Sequence, residues 1–321
     1  MEFNGGRGTE TEKIDLLSGF CFWQVLGMRT LSLHRFCLGL FVFLSGVVVV
    51  SAVLSPPVYF LIEQWEGARW PFKRIFNRVL MVGAVLGLPG LLWYLHAWSF
   101  SRIGWISTST AWRGLWLGWG TGVVHLGLLA LVHGLAGVRV WHWELDAGRM
   151  AGYFAAGWAV AIIEETIFRG GLFLALKQMP VRKLIAAGVI GSFVFAMAHF
   201  PAAREVPGPV SWNSGWAIWA DLVDQFLNWQ EVVRRGVGLF LVAMCLCAAA
   251  WRTGSLWFPA GLHAGWVFAL KAVNRMTDNT RLSESLWWGG HPLDGAVAWL
   301  LLLVLLFLIL FGRQVNVASS D

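Results

Sequence analysis

Leu293–Phe311 reads LDGAVAWLLLLVLLFLILF, and from Leu300 to Leu310 it carries no polar side chain. A helix built from such a run is apolar all round, so it has no stripe for water. About 20 predominantly apolar residues are enough to cross the hydrocarbon core of a bilayer. Working back toward the N-terminus, seven more segments qualify or nearly so: Phe36–Ser55, Val79–Trp98, Leu115–Gly137, Met150–Leu176, Leu184–Phe200, Val237–Trp251 and Leu256–Val273. The predicted fold is all-α, a polytopic membrane helical bundle of about eight transmembrane helices. Pro56-Pro57 is expected to end the first span, Pro180 to close the turn after the fourth and Pro201 to stop the fifth, while Pro89 reads as a kink within the second.

Composition supports this reading and narrows the function. Of 321 residues, 57% are hydrophobic and 13% charged, whereas soluble domains run near 45–50% apolar and about 25% charged. A water-facing surface of this size cannot be built from so little charge. The 22 Trp and 22 Phe suit a chain with many helix ends at the membrane interface. Net charge is +6 without a dense basic block, which excludes a nucleic-acid groove and leaves headgroup contact as the reading. Lys and Arg divide almost evenly between the two sides, so the positive-inside rule does not fix the orientation.

Residues 1–35 read as an N-terminal polar or interfacial segment. Acids outnumber bases there, and Leu16–Met28 is too short to span and is not followed by a cleavage site. Residues 36–313 read as one transmembrane domain and 314–321 as a short polar tail. Cys245 and Cys247 would point about 200° apart on a helix, so they read as small core residues, not as a metal site. Between Pro201 and Arg234, Trp212–Trp229 mixes Trp with Asp221 and Asp224. That stretch is expected to form a helix lying flat on the membrane, covering what the spans enclose.

The spans hold few ionisable residues: His125 and His133 in the third, Glu164, Glu165 and Arg169 in the fourth, His199 in the fifth and His263 in the seventh. Each charge at mid-bilayer costs at least ~2.5–3.5 kcal/mol, which makes such residues functional candidates. Glu165 and Arg169 are spaced i, i+4 with the acid first, the favourable order for an ion pair on one helix face. Glu164 lies about 100° further round and is left over. A carboxylate in a low-dielectric site can act as a general base or acid near neutral pH, so spacing favours Glu164 for chemistry and Glu165 with Arg169 for support. His125 reads as a structural hydrogen-bonding group, and His133 as reaching the interface. A carboxylate and two imidazoles around a water suffice for hydrolysis. The same groups suit Zn²⁺, but no HExxH or similar close-spaced pair supports a metal.

At these residues the sequence resembles the CPBP family of intramembrane proteases, which includes type II CAAX prenyl endopeptidases and bacteriocin-processing or self-immunity proteins. Glu164-Glu165-Thr-Ile-Phe-Arg169 matches the Glu-Glu-x-x-x-Arg motif, with Gly170 and Gly171 following. Phe195-Ala-Met-Ala-His199 matches Phe-x-x-x-His, and His263 matches the late histidine in its Gly-Leu-His-Ala setting. The resemblance covers about residues 150–273. It implies a mid-bilayer site in which a glutamate-activated water hydrolyses a peptide bond, without cofactor or metal. Glu164, His199 and His263 would be catalytic, with Glu165, Arg169 and Phe195 in support. The expected partners are the bilayer and a membrane-associated or lipidated peptide. The chain departs from the motif at Val267, where the family has Asn, and Trp266 offers an indole N–H as a substitute donor. Two other readings stay open: a catalytically silent relative that binds lipidated or membrane partners, and a proton-coupled transporter using the same acids and histidines.

Overall fold

The computed structural model describes residues 33–66, 70–95, 103–106, 109–142, 146–171, 180–199 and 208–312. The N-terminal segment through Ser32, Pro201 and the C-terminal tail lie outside the described residues. Nine α-helices are present among those described: α1 Leu33–Glu66, α2 Phe72–Tyr94, α3 Ala111–Leu135, α4 Ala147–Glu165, α5 Val181–His199, α6 Ser214–Leu227, α7 Trp229–Thr253, α8 Trp257–Met276 and α9 Ala296–Phe311. Among the described residues six helical stretches are long and apolar enough to cross a membrane: those of α1 to α5 and α7. The remaining two expected spans correspond to α8, whose last turns carry Lys271, Asn274 and Arg275, and α9, a shorter apolar helix. This is an integral, multi-pass, all-α membrane protein. One small ribbon is added, with β1 (Arg139–Trp141) antiparallel to β2 (Thr277–Asn279) and Val140 opposite Asp278.

The helices are apolar outside and partly polar inside, the reverse of a soluble bundle. Along the second half of α3 the exposed large side chains are Val124, Leu128, Leu131 and Leu135, while His125 and His133 are buried. Such a surface is stable facing lipid and not facing water. Small residues set how closely the inner helices approach. A Cβ on Gly261 or Gly265 of α8 would collide with the carbonyls of Leu115 and Trp119 on α3, and one on Gly118 or Gly122 would collide with the α8 backbone. This is the small-xxx-small packing of membrane helices. Residue numbers rise together across the contact, so α3 and α8 run parallel. Gly157 gives α4 the same close approach to Ala264 of α8.

Pro56-Pro57 does not end the first helix. α1 continues through both prolines to Glu66: the Ala52 carbonyl, which loses its donor at Pro56, lies against Gly215 of α6, and just before it the Ser55 hydroxyl adds a bond to the Ser51 carbonyl. α2 likewise passes through Pro89. α6 carries the expected amphipathic pattern. Ile218 and Leu222 bury against Phe72 and Phe76 of α2, Trp219 donates to Ser51 of α1, and Trp216, Val223 and Leu227 are exposed. His133, in the last turn of α3, is covered by protein. It is 1% exposed, with its ring edge-on to Trp288 at 5.7 Å.

Candidate active site

α4 begins at Asp146, whose carboxylate accepts from the Arg149 N–H at 3.0 Å, a side-chain N-cap. That bond holds the Asp146 carboxyl below its usual range. The helix ends on Glu164 and Glu165, and the chain then widens into a π-turn, Thr166–Gly171, which carries Arg169. Such turns are inserted where a helix must redirect side chains. This one is pinned by Thr166, which donates to the Ile162 carbonyl and accepts from the Trp105 indole, and by Gly170, which leaves no room for a Cβ beside the Ile103 carbonyl.

The two acids face different neighbours. Glu165 is fully buried. Its Oε1 accepts from Arg169 Nη1 at 3.0 Å and from His263 Nδ1 of α8 at 2.8 Å. Arg169 also donates Nη2 to the Ala243 carbonyl of α7 at 3.3 Å, and its guanidinium lies 4.5 Å over the Phe195 ring. The pairing of Glu165 with Arg169 follows from helical spacing. The bond to His263 does not, because 98 residues separate the partners.

Glu164 turns toward α5. Its Oε2 lies 3.0 Å from His199 Nε2 and 3.7 Å from His263 Nε2, the second beyond hydrogen-bond range. His199 Nδ1 is 2.8 Å from the Phe195 carbonyl. A carbonyl only accepts, so Nδ1 carries a proton. The contact between Nε2 and Oε2 then needs a second proton, shared by imidazole and carboxyl. Phe195, 2% exposed, stacks under the His199 ring at 4.1 Å and separates it from Arg169. The side chains of Glu164 and His199 are 21% and 30% exposed, against none for Glu165. Of the two acids, only Glu164 has exposed side-chain surface.

Glu164, His199 and His263 line a cavity of about 150 Å³ whose remaining wall is apolar, including Val267 and Leu270. Val267 sits one turn after His263 and supplies no donor. The Trp266 indole N–H, expected as a substitute, is turned to His125 Nδ1 at 3.3 Å. Among the described residues no group of three or more His, Cys, Asp and Glu side chains is placed to hold a metal ion.

Residues 146–269 match the family described as type II CAAX prenyl endopeptidase, Rce1-like. This segment belongs to the CPBP family. The CPBP segment starts at the residue that caps α4 and stops two residues after Val267, so it contains both acids, Arg169, His199 and His263. For this segment the match supports a CAAX-type intramembrane protease, and so a hydrolase. No curated protein and no solved structure matches the chain. Helices α1, α2, α3 and α9 and the β ribbon lie outside the CPBP match.

Proposed function

We propose that the chain is an intramembrane endopeptidase in which Glu164 activates a water for attack on a peptide carbonyl. The observation that carries this reading is the convergence of Glu164, His199 and His263 from three helices on one apolar cavity. In this scheme Glu164 and His199 hold the water, and Glu164 takes its proton as the oxygen bonds to the carbonyl carbon. In this scheme His263 carries a proton on each ring nitrogen, giving Nδ1–H to Glu165 and Nε2–H to the developing oxyanion. Glu164 then passes the proton to the amide nitrogen, the C–N bond breaks, and a free amine and a carboxylic acid leave. Glu165 and Arg169 hold His263 and the end of α4 in register, and Phe195 supports His199. The substrate is a membrane-associated or lipidated peptide, of which a prenylated CAAX sequence is one form.

Expression of wild type and Glu164→Ala in membranes tests the reading. Peptides that wild type cleaves should accumulate uncut in the variant, and identical peptide profiles would refute it. Val267 favours a second reading, a silent relative that binds such peptides. On that reading wild type retains a bound peptide without cutting it.

A further inference from the structure

Arg139 opens β1 and is 6% exposed. Its Nη1 donates to Asn274 Oδ1 at 3.2 Å and Thr277 Oγ1 at 2.6 Å, both neutral acceptors. Among the described residues no carboxylate lies within ion-pair distance of the guanidinium. Asp278 is the nearest acid acting on it, and that side chain is exposed and contacts His142 at 3.4 Å. Buried charges are ordinarily paired, so this cation lacks its counter-ion. The electrostatics agree. Burial pushes Arg139 down despite Asp278, and His291 is pushed down to about 4 by burial and by the charges of Arg139 and Arg235. A second group is also unsatisfied: both ring nitrogens of buried His133 lack a hydrogen-bond partner.

The position of this cluster relative to the cavity gives it meaning. His263, Val267, Leu270 and Asn274 follow at i, i+4, i+7 and i+11, so they share one face of α8. The first three line the cavity, and the fourth is held by Arg139. Two other elements repeat the relation. Leu126 of α3 lines the cavity with His133 two turns further on, and Leu293 lines it with His291 two residues before. The Arg139 cation and its flanking imidazoles therefore lie past the far end of an apolar wall, about 16 Å along α8 from His263 at ~1.5 Å per residue.

We propose that Arg139, flanked by His133 and His291, seats the terminal carboxylate of a peptide whose apolar side chains occupy the cavity. The proposal rests on the endopeptidase reading for the role of the cavity. A planar guanidinium fits a carboxylate through paired N–H donors, and a free carboxylate is the one anion every linear peptide carries. An extended segment of about four or five residues spans the distance, at ~3.3 Å per residue.

The test is binding without turnover. Full-length Glu164→Ala protein in phosphatidylcholine nanodiscs is titrated with a fluorescent hexapeptide of Leu, Val and Ala, as the free acid and as the C-terminal amide. The acid should bind at least about tenfold more tightly, as a charge-assisted bond requires. That preference should vanish in Arg139→Gln and in Asn274→Asp, the latter placing a carboxylate beside Arg139 at an exposed position with little risk to folding. Equal binding of acid and amide, no binding of either, or a preference that survives Asn274→Asp overturns the proposal. So does a phosphatidylglycerol arm in which lipid binding depends on Arg139 and the peptide terminus has no effect, since the seat would then be for a headgroup. Wild type that cleaves no peptide, beside a variant that prefers the acid, defeats the endopeptidase reading and leaves the seat standing.

Discussion

Replacing Arg169 with Leu should destabilise the protein far more than its loss of contacts implies. The guanidinium is 1% exposed and bonded to a fully buried carboxylate, so the variant strands Glu165 in the core with His263 as its remaining partner. Breaking a buried pair from one side costs ~3–5 kcal/mol. Glu165→Gln alone should cost a similar amount, because it strands Arg169 with the Ala243 carbonyl. The double variant Glu165→Gln with Arg169→Leu leaves no buried charge, and the introduced amide still offers an oxygen to His263 Nδ1–H. It should cost only about 1–2 kcal/mol, less than either single change. At roughly 2–4 °C per kcal/mol for chains of this order, thermal midpoints in detergent should fall by about 6–20 °C in the singles. The double should recover most of that. Singles that shift by less than about 2 °C, or a double as impaired as their sum, would refute the argument that the pair is held by mutual neutralisation.

Val267→Asn places an amide donor in the cavity one turn from His263. On the protease reading it should raise kcat about 10²-fold with little change in KM, measured on any peptide that wild type cleaves; an unchanged or lower kcat counts against an oxyanion at that position. Gly261→Ala would press a methyl group into the Leu115 carbonyl and spread α3 from α8, costing about 1–3 kcal/mol. Gly127→Ala, where a Cβ meets open space, should stay within about 0.5 kcal/mol, and equal thermal midpoints for the two variants would contradict the close-packing account. His291 takes up a proton at about 4 in the folded protein and near 6.5 when unfolded. The unfolded state therefore binds the proton first, and stability should fall as pH drops from about 6.5 to about 4. His291→Asn should flatten that part of a thermal-midpoint profile, and an unaltered slope assigns the acid sensitivity elsewhere.

The lipid-facing runs were legible because a bilayer removes the need for a polar stripe, and composition alone then marks the helices. The ion pair of Glu165 with Arg169 was legible because both partners lie on one helix at fixed spacing. Contacts between distant segments were not. Either acid could have met either imidazole, and only the packing of α4 against α8 at Gly157 gives Glu165 to His263 and Glu164 to His199. The prolines of α1 mislead because a missing donor reads as a helix end, while the compensation comes from α6, more than 150 residues away. The ribbon β1–β2 was invisible because three residues are too few to show an alternating pattern. The cover over His133 was hidden for a similar reason: Trp288 lies on a connection whose path no periodicity reports.

The adjacency of Glu164 and Glu165 has a mechanical consequence. One acid faces α5 and the other α8, so α4 is keyed on two sides like a lock cylinder held by opposed pins. Turning it by one residue, about 100°, would carry Glu165 out to His199, bring a non-ionisable neighbour to His263 and leave Arg169 stranded. No intermediate rotation satisfies one contact while sparing the other. A single-residue deletion between Gly157 and Glu164 should therefore abolish the site outright, whereas the same deletion in the connection before Asp146 should be absorbed there.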